Sequence, residues 1–154
     1  MKEEEIIKLI EDLDWNLPEK TQYEAMRKLM KIDEESCHLL VQKMKKNTWL
    51  NATRIIMDLG YPFNRKALPS LIWLLQDLNW PGVTNAFESL KIVDKKAITP
   101  LLEKCIKEAF EGEDFMWLGG IKYFVEEAEI AEEDFENKGI FDLLSCADCD
   151  YSSD

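Results

Sequence analysis

One spacing recurs along this chain and leaves few folds open to it: four largely apolar residues at i, i+3, i+4 and i+7, the pattern that lines one face of an amphipathic α-helix. Ile6, Leu9, Ile10 and Leu13 form the first quartet. Cys37, Leu40, Val41 and Met44 follow, then Leu68, Leu71, Ile72 and Leu75, then Ile98, Leu101, Leu102 and Cys105; the starts advance by 31, 31 and 30 residues. A second set alternates with the first: Tyr23, Met26, Arg27 and Met30; Ala52, Ile55, Ile56 and Leu59; Val83, Ala86, Phe87 and Leu90; Trp117, Gly120, Ile121 and Phe124. Arg27 alone interrupts it, and these starts advance by 29, 31 and 34.

Two helix types that alternate with a period near 31 describe a helix-pair array, in which stacking neighbours makes the core that no single pair can make. The expected fold is all-α: a HEAT-like α-solenoid of about four antiparallel helix pairs, closed by a short C-terminal capping helix. Residues 1–145 would form this single domain and 146–154 an acidic tail. No alternating apolar–polar run of useful length appears, so no sheet is expected. Turn and cap residues fall where the period needs them. Gly60-Tyr61-Pro62 closes the second pair, Pro81-Gly82 separates the helices of the third, and Pro18 suits a first helical turn. Asp33, Thr48 and Asp94 precede helical runs as caps.

Asp12-Leu13-Asp14-Trp15 and Asp77-Leu78-Asn79-Trp80 repeat one another 65 positions apart, and Trp49 and Trp117 occupy the comparable stretch of the other two pairs. A tryptophan near each turn inside a pair is expected to wedge helix against helix, since the indole buries a large area and needs one polar partner. After Phe124 the apolar pattern loosens into an acidic stretch ending at Glu136, followed by an expected turn at Asn137-Lys138-Gly139. Ile140, Phe141, Leu143 and Leu144 would then form the capping helix, with residues from Cys146 onward frayed.

The segment Leu71-Ile72-Trp73-Leu74-Leu75-Gln76-Asp77-Leu78-Asn79-Trp80-Pro81-Gly82 resembles a stretch, L-x-x-x-L-Q-D-x-N-W-P, of a bacterial family of unknown function. The resemblance runs from roughly Phe63 to Leu102, about a quarter of the chain. It implies a HEAT-like helical fold and, because that family has no established activity, it implies no catalytic residues.

Charge narrows the partners. The chain carries 31 acidic and 19 basic residues, a formal −12, which opposes the phosphate neutralisation behind most nonspecific nucleic-acid affinity. Nucleic acid and anionic membranes are therefore not expected, and a basic protein is the partner the field favours. Met1-Lys2-Glu3-Glu4-Glu5 lacks the basic and apolar stretches of a signal peptide, so a cytoplasmic location is expected, with Cys37, Cys105, Cys146 and Cys149 as thiols.

Chemistry-bearing constellations are sparse. His38 is the only histidine, and as the neighbour of Cys37 on a helix it would point about 100° away. Cys146-Ala147-Asp148-Cys149 has the spacing of half a zinc site, which needs four ligands. Asp12, Asp14 and Asn16 open like a calcium loop, but Leu17 stands where its glycine belongs and Tyr23 where its glutamate belongs. No enzyme activity, cofactor or metal is expected. What remains is a binding surface on the second-type helices: Lys28, Asn51, Arg54, Asn85, Glu88 and Lys122, joined by the off-face Trp73. The expected function is a protein-protein interaction module, with a bacterial immunity protein that neutralises a basic toxin as the alternative.

Overall fold

The computed structural model describes residues 1–147, and these contain helices and turns but no strand. They form two compact units. Unit 1 comprises Met1–Leu71 and Asn79–Ile92; unit 2 comprises Ile72–Leu78 and the chain from Val93 onward.

Unit 1 begins with α1 (Glu3–Glu11), whose first turn carries three glutamates against the positive end of the helix dipole and whose inner side buries Ile6 and Ile10. Then come α2 (Glu19–Leu29), a 3-10 segment at Glu34–Leu39, α3 (Trp49–Leu59), the start of α4 (Leu68–Trp73) and α5 (Val83–Lys91). Two ladders run through the unit. In one, α1 packs on Glu34–Leu39, which packs on the 3-10 turn Arg65–Ala67; in the other, α2 packs on α3 and α3 on α5.

Two quartets differ from the sequence expectation. The run from Cys37 to Met44 is not an α-helix: Asp33 caps a 3-10 segment by accepting from the Ser36 amide at 3.0 Å, and the helical path stops at Leu39. At three residues per turn an i+7 residue no longer shares the face of residue i, and Met44 is 95% exposed while Cys37, Leu40 and Val41 are buried. In α2 the phase is one residue off. Ala25 and Leu29 are buried, Gln22 and Met26 half-buried, and Tyr23 is 67% exposed. The inner face is therefore Gln22, Ala25, Met26 and Leu29, and the Arg27 that interrupted the expected quartet lies outside it.

Helix ends are set by few residues. Gly60, at φ 73°, ends α3, and Gly82, at φ 86°, starts α5 in the left-handed region. A Cβ on Gly82 would lie 2.6 Å from Thr53 Oγ1 and 2.8 Å from the Trp49 carbonyl, so glycine serves both the backbone conformation and the close approach to α3. Thr48 does not cap α3; its hydroxyl donates back to the Lys45 carbonyl at 2.7 Å. Trp49 and Trp117 lie buried in the first turns of α3 and α7, whereas Trp15 is 42% exposed. The Trp80 ring sits 5.1 Å from that of Trp49. The wedge expectation thus fits three of the four indoles and not Trp15.

Unit 2 contains the end of α4 with the 3-10 turn Leu74–Gln76, then α6 (Lys95–Glu111), α7 (Phe115–Glu127), a 3-10 turn at Glu132–Asp134 and α8 (Lys138–Asp142). Its helices are capped by side chains: Asp94 accepts from the Lys96 amide, Asp114 from the Trp117 amide, and Asn137 from the Gly139 and Ile140 amides. The expected turn at Asn137-Lys138-Gly139 is therefore the capped start of α8. α7 packs on α6 and on Leu74–Gln76, and α8 on α6. The closest approach is at Gly120, where a Cβ would lie 1.8 Å from the Leu75 carbonyl oxygen. Beside it, Trp117 Nε1 donates to the Ile72 carbonyl at 2.9 Å. Ala147 is buried, so the ordered chain continues past the expected start of fraying at Cys146; positions 148–154 of the expected tail lie outside the described residues.

Candidate interaction surfaces

In unit 1, α3 turns its inner side toward the core with Ala52, Thr53, Ile55 and Ile56, which leaves Leu50, Arg54 and Met57 on an exposed stripe at i, i+4 and i+7. On the neighbouring α5, Thr84, Glu88 and Lys91 are exposed at the same spacing. The two helices are joined by an Asn85 Nδ2 bond to Thr53 Oγ1 at 3.2 Å, and that hydroxyl itself donates to the Trp49 carbonyl at 2.8 Å.

The residues expected to bind a partner separate on this frame. Arg54, Glu88 and Lys28 are exposed, and Asn85 is half-buried against Thr53. Asn51 leaves the surface: it is 8% exposed, and its Nδ2 donates to the Leu13 carbonyl at 2.8 Å and to Gln22 Oε1 at 2.9 Å. Gln22 in turn donates to the Leu17 carbonyl at 2.7 Å, so the pair satisfies backbone groups of the turn between α1 and α2. Trp73 and Lys122 belong to unit 2, are half-buried and each engage neighbours. The exposed Tyr23, Leu50 and Met57 were not anticipated. Their signal in the sequence is that they are apolar at positions the inner faces of α2 and α3 leave over.

Unit 2 has a groove of about 400 Å³ between the end of α7 and α8. Its lining includes Val125, Ile130, Phe141 and Leu144, with Glu126, Asp142, Ser145 and Lys122 as the polar lining. Phe141 is held edge-on against Phe135, ring centres 5.1 Å apart. From Tyr123 to Asn137 the chain holds seven acidic residues and no lysine or arginine.

Charge is divided between the units. Unit 1 holds thirteen basic and thirteen acidic residues; the stretches of unit 2 hold six basic and eighteen acidic, three of the latter outside the described residues, so the whole −12 falls in the sequence assigned to unit 2.

The groups considered for catalysis and metal binding have other partners. The Cys37 thiol donates to the Asp33 and Phe63 carbonyls at 3.8 Å, and burial, assisted by the nearby Asp33 and Glu34, pushes it up to about 11. Burial and then Glu108 push Cys105 up to about 12. Both stay protonated at neutral pH, the form that is a poor nucleophile and metal ligand. His38 places Nδ1 at 2.7 Å from the Glu35 carbonyl. Asp14 accepts from the Asn16 amide at 2.8 Å, an Asx turn. Among the described residues no group of three or more His, Cys, Asp and Glu could hold a metal ion; Cys149 of the expected half-site lies outside them. Nor is any helix there long and apolar enough to cross a membrane.

Comparison with family models, with curated proteins and with solved structures gave no match.

Proposed function

We propose that this protein is a non-catalytic interaction module of HEAT-like stacked helix pairs whose partner is a basic protein. The carrying observation is the one-sided charge: unit 2 holds all of the net −12 and unit 1 is neutral. So concentrated a field raises the encounter rate with a cationic surface and favours unit 2 as the unit that meets it. The stacked-pair reading is supported inside unit 1, where first-type segments contact first-type segments and second-type helices contact second-type helices in chain order. The stripe of Leu50, Arg54 and Met57 mixes apolar area with a guanidinium, the composition enriched at the centre of protein interfaces. Unit 2 opposes nucleic acid by its sign, and the neutral unit 1 supplies no excess positive charge to offset that. Neutralisation of a basic toxin is the narrower form of the same reading, and the charge of unit 2 favours it.

Affinity capture on the purified chain at about 50 and about 300 mM salt, spanning the range over which surface charges become screened, tests the reading. A basic protein retained in stoichiometric amount at low salt and lost at high salt is the expected result. Retained nucleic acid, or turnover of a small molecule with no protein bound, would overturn it.

A further inference from the structure

We infer that the groove between the end of α7 and α8 is the docking site for a basic protein segment that inserts an apolar side chain, an inference that rests on the interaction-module reading and gives it a location. Val125, Ile130, Phe141 and Leu144 offer an apolar seat, while Glu126 and Asp142 stand at it as exposed carboxylates. Such a groove strips water from an inserted side chain and leaves the carboxylates solvated, so it selects a segment with an apolar anchor flanked by lysine or arginine.

Charge complementarity identifies the occupant. Glu127 and Glu129 adjoin the lining residues in the chain, no cation occurs from Tyr123 to Asn137, and unit 2 is the acidic unit. Lys122, the one cation of the lining among the described residues, is already engaged with neighbours. A segment that was apolar and neutral would gain nothing from this field, and an acidic one would be repelled. Two further depressions differ. The one beside α1 sets Lys8, Lys28 and Lys31 against Glu5 and Asp12, a slight positive excess, and the one at Lys45 and Lys46 balances those cations against Glu11 and Asp14, so neither favours a cationic segment.

The probe is a short fluorescent peptide of lysines and leucines with its leucines on one helical face, titrated into the full chain and followed by anisotropy. Glu126→Lys/Asp142→Lys should weaken it about tenfold or more, a change of about 1.4 kcal/mol per tenfold. Neutral Glu126→Gln/Asp142→Asn should fall between this variant and wild type. Replacing the peptide leucines by serine should weaken binding comparably, whereas Glu24→Lys/Asp58→Lys on unit 1 should leave Kd within about twofold. Circular dichroism checks that each variant keeps its helix; both groove carboxylates are exposed, and the neutral pair answers if the reversed pair does not fold. Equal weakening by the unit 1 and unit 2 reversals, or indifference to the leucines, would overturn the groove. So would capture of a salt-sensitive protein partner at wild-type level by the reversed variant, which would remove the groove and leave the interaction module standing.

Discussion

The two units use the same packing devices with different emphasis. Unit 1 is built of short helices and 3-10 turns, and side-chain donors reach backbone carbonyls between its segments. Among the described residues, five of the six buried polar side chains, Thr48, Asn51, Thr53, Asn64 and Ser89, lie there, the Ser89 hydroxyl without a hydrogen-bond partner, and Thr99 lies in unit 2. Asn51 reaches the Leu13 carbonyl, Asn64 the Ile56 carbonyl and Trp49 the Gln42 carbonyl. Unit 2 has the longer α6 and α7, satisfies more of its backbone within them, and gains closeness by deleting a side chain at Gly120. Both units use both devices, with Gly82 against α3 in unit 1 and Trp117 Nε1 on the Ile72 carbonyl in unit 2, but the buried polar side chains are concentrated in unit 1 and the tightest glycine contact, at Gly120, is in unit 2.

Substitutions of glycine should separate these means most sharply. Gly120→Ala drives a methyl into the Leu75 carbonyl, where no flexible side chain can yield, and should cost about 3 kcal/mol or more, the upper end for overpacking. Gly119→Ala, one residue away in open space, should be neutral or stabilise by up to about 1 kcal/mol through helix propensity. Urea melts of the two variants check this. Similar stability of the two would mean that Leu75 is not packed against α7 as described.

Unit 1 should be more sensitive to loss of its hydrogen bonds. Asn51→Ala leaves the Leu13 carbonyl buried without its donor and should cost about 1–3 kcal/mol, with Gln22 losing a partner as well. Trp49→Phe removes one of two donors to the Gln42 carbonyl, which keeps the Lys45 amide, and should cost less, about 0.5–1.5 kcal/mol. Thermal unfolding followed at 222 nm is the check. A loss no greater than that of an exposed control such as Arg54→Ala would remove the hydrogen-bond account of unit 1.

The same contrast explains what could be read from the letters. An apolar quartet is legible where the inner face holds the large apolar residues, so Leu68–Leu75, Ile98–Cys105 and Trp117–Phe124 lie inward as expected, with only Leu101 half-exposed. In α2 the inner face contains Gln22 and Ala25, one polar and one small, and the larger Tyr23 and Met30 drew the phase one residue away. At Cys37–Met44 the local choice of 3-10 over α geometry changes which residues share a face without changing the composition. Asn51 looked like surface because it is polar, and only the fold brings the Leu13 carbonyl to it. The groove of unit 2 was illegible for a related reason: Val125, Ile130 and Phe141 belong to separate segments.

The cysteines allow one test in each unit. Because both folded thiols are raised, the unfolded chain ionises first as pH climbs, so the stability they contribute is complete below about pH 9 and declines above it. The decline should continue to about 11 for Cys37 and about 12 for Cys105. Cys37→Ala and Cys105→Ala should each flatten the alkaline limb of a stability curve. An unchanged limb in Cys105→Ala would show that its thiol is not buried.

Salt should produce the smallest effect, but the two units should respond with opposite signs. Unit 1 carries balanced charge with cross-segment ion pairs, Lys45 with Glu11 at 2.7 Å, Arg65 with Glu34, and Lys66 with Glu35 at 3.8 Å. Screening weakens such attraction, though exposed pairs are worth little. Unit 2 has fifteen acidic and six basic residues among those described, so its summed interaction is repulsive, and salt relieves it. Raising salt from about 20 to about 300 mM shortens the screening length from roughly 20 Å to roughly 6 Å, which removes most of the longer-range repulsion. Native-state hydrogen exchange resolves the units separately: amides of α7 should gain protection, by about 1 kcal/mol or less, while those of α1 hold or lose slightly. A common shift in both would mean that the charge asymmetry, however clear in the sequence, has no effect on folding and acts only on what approaches from outside.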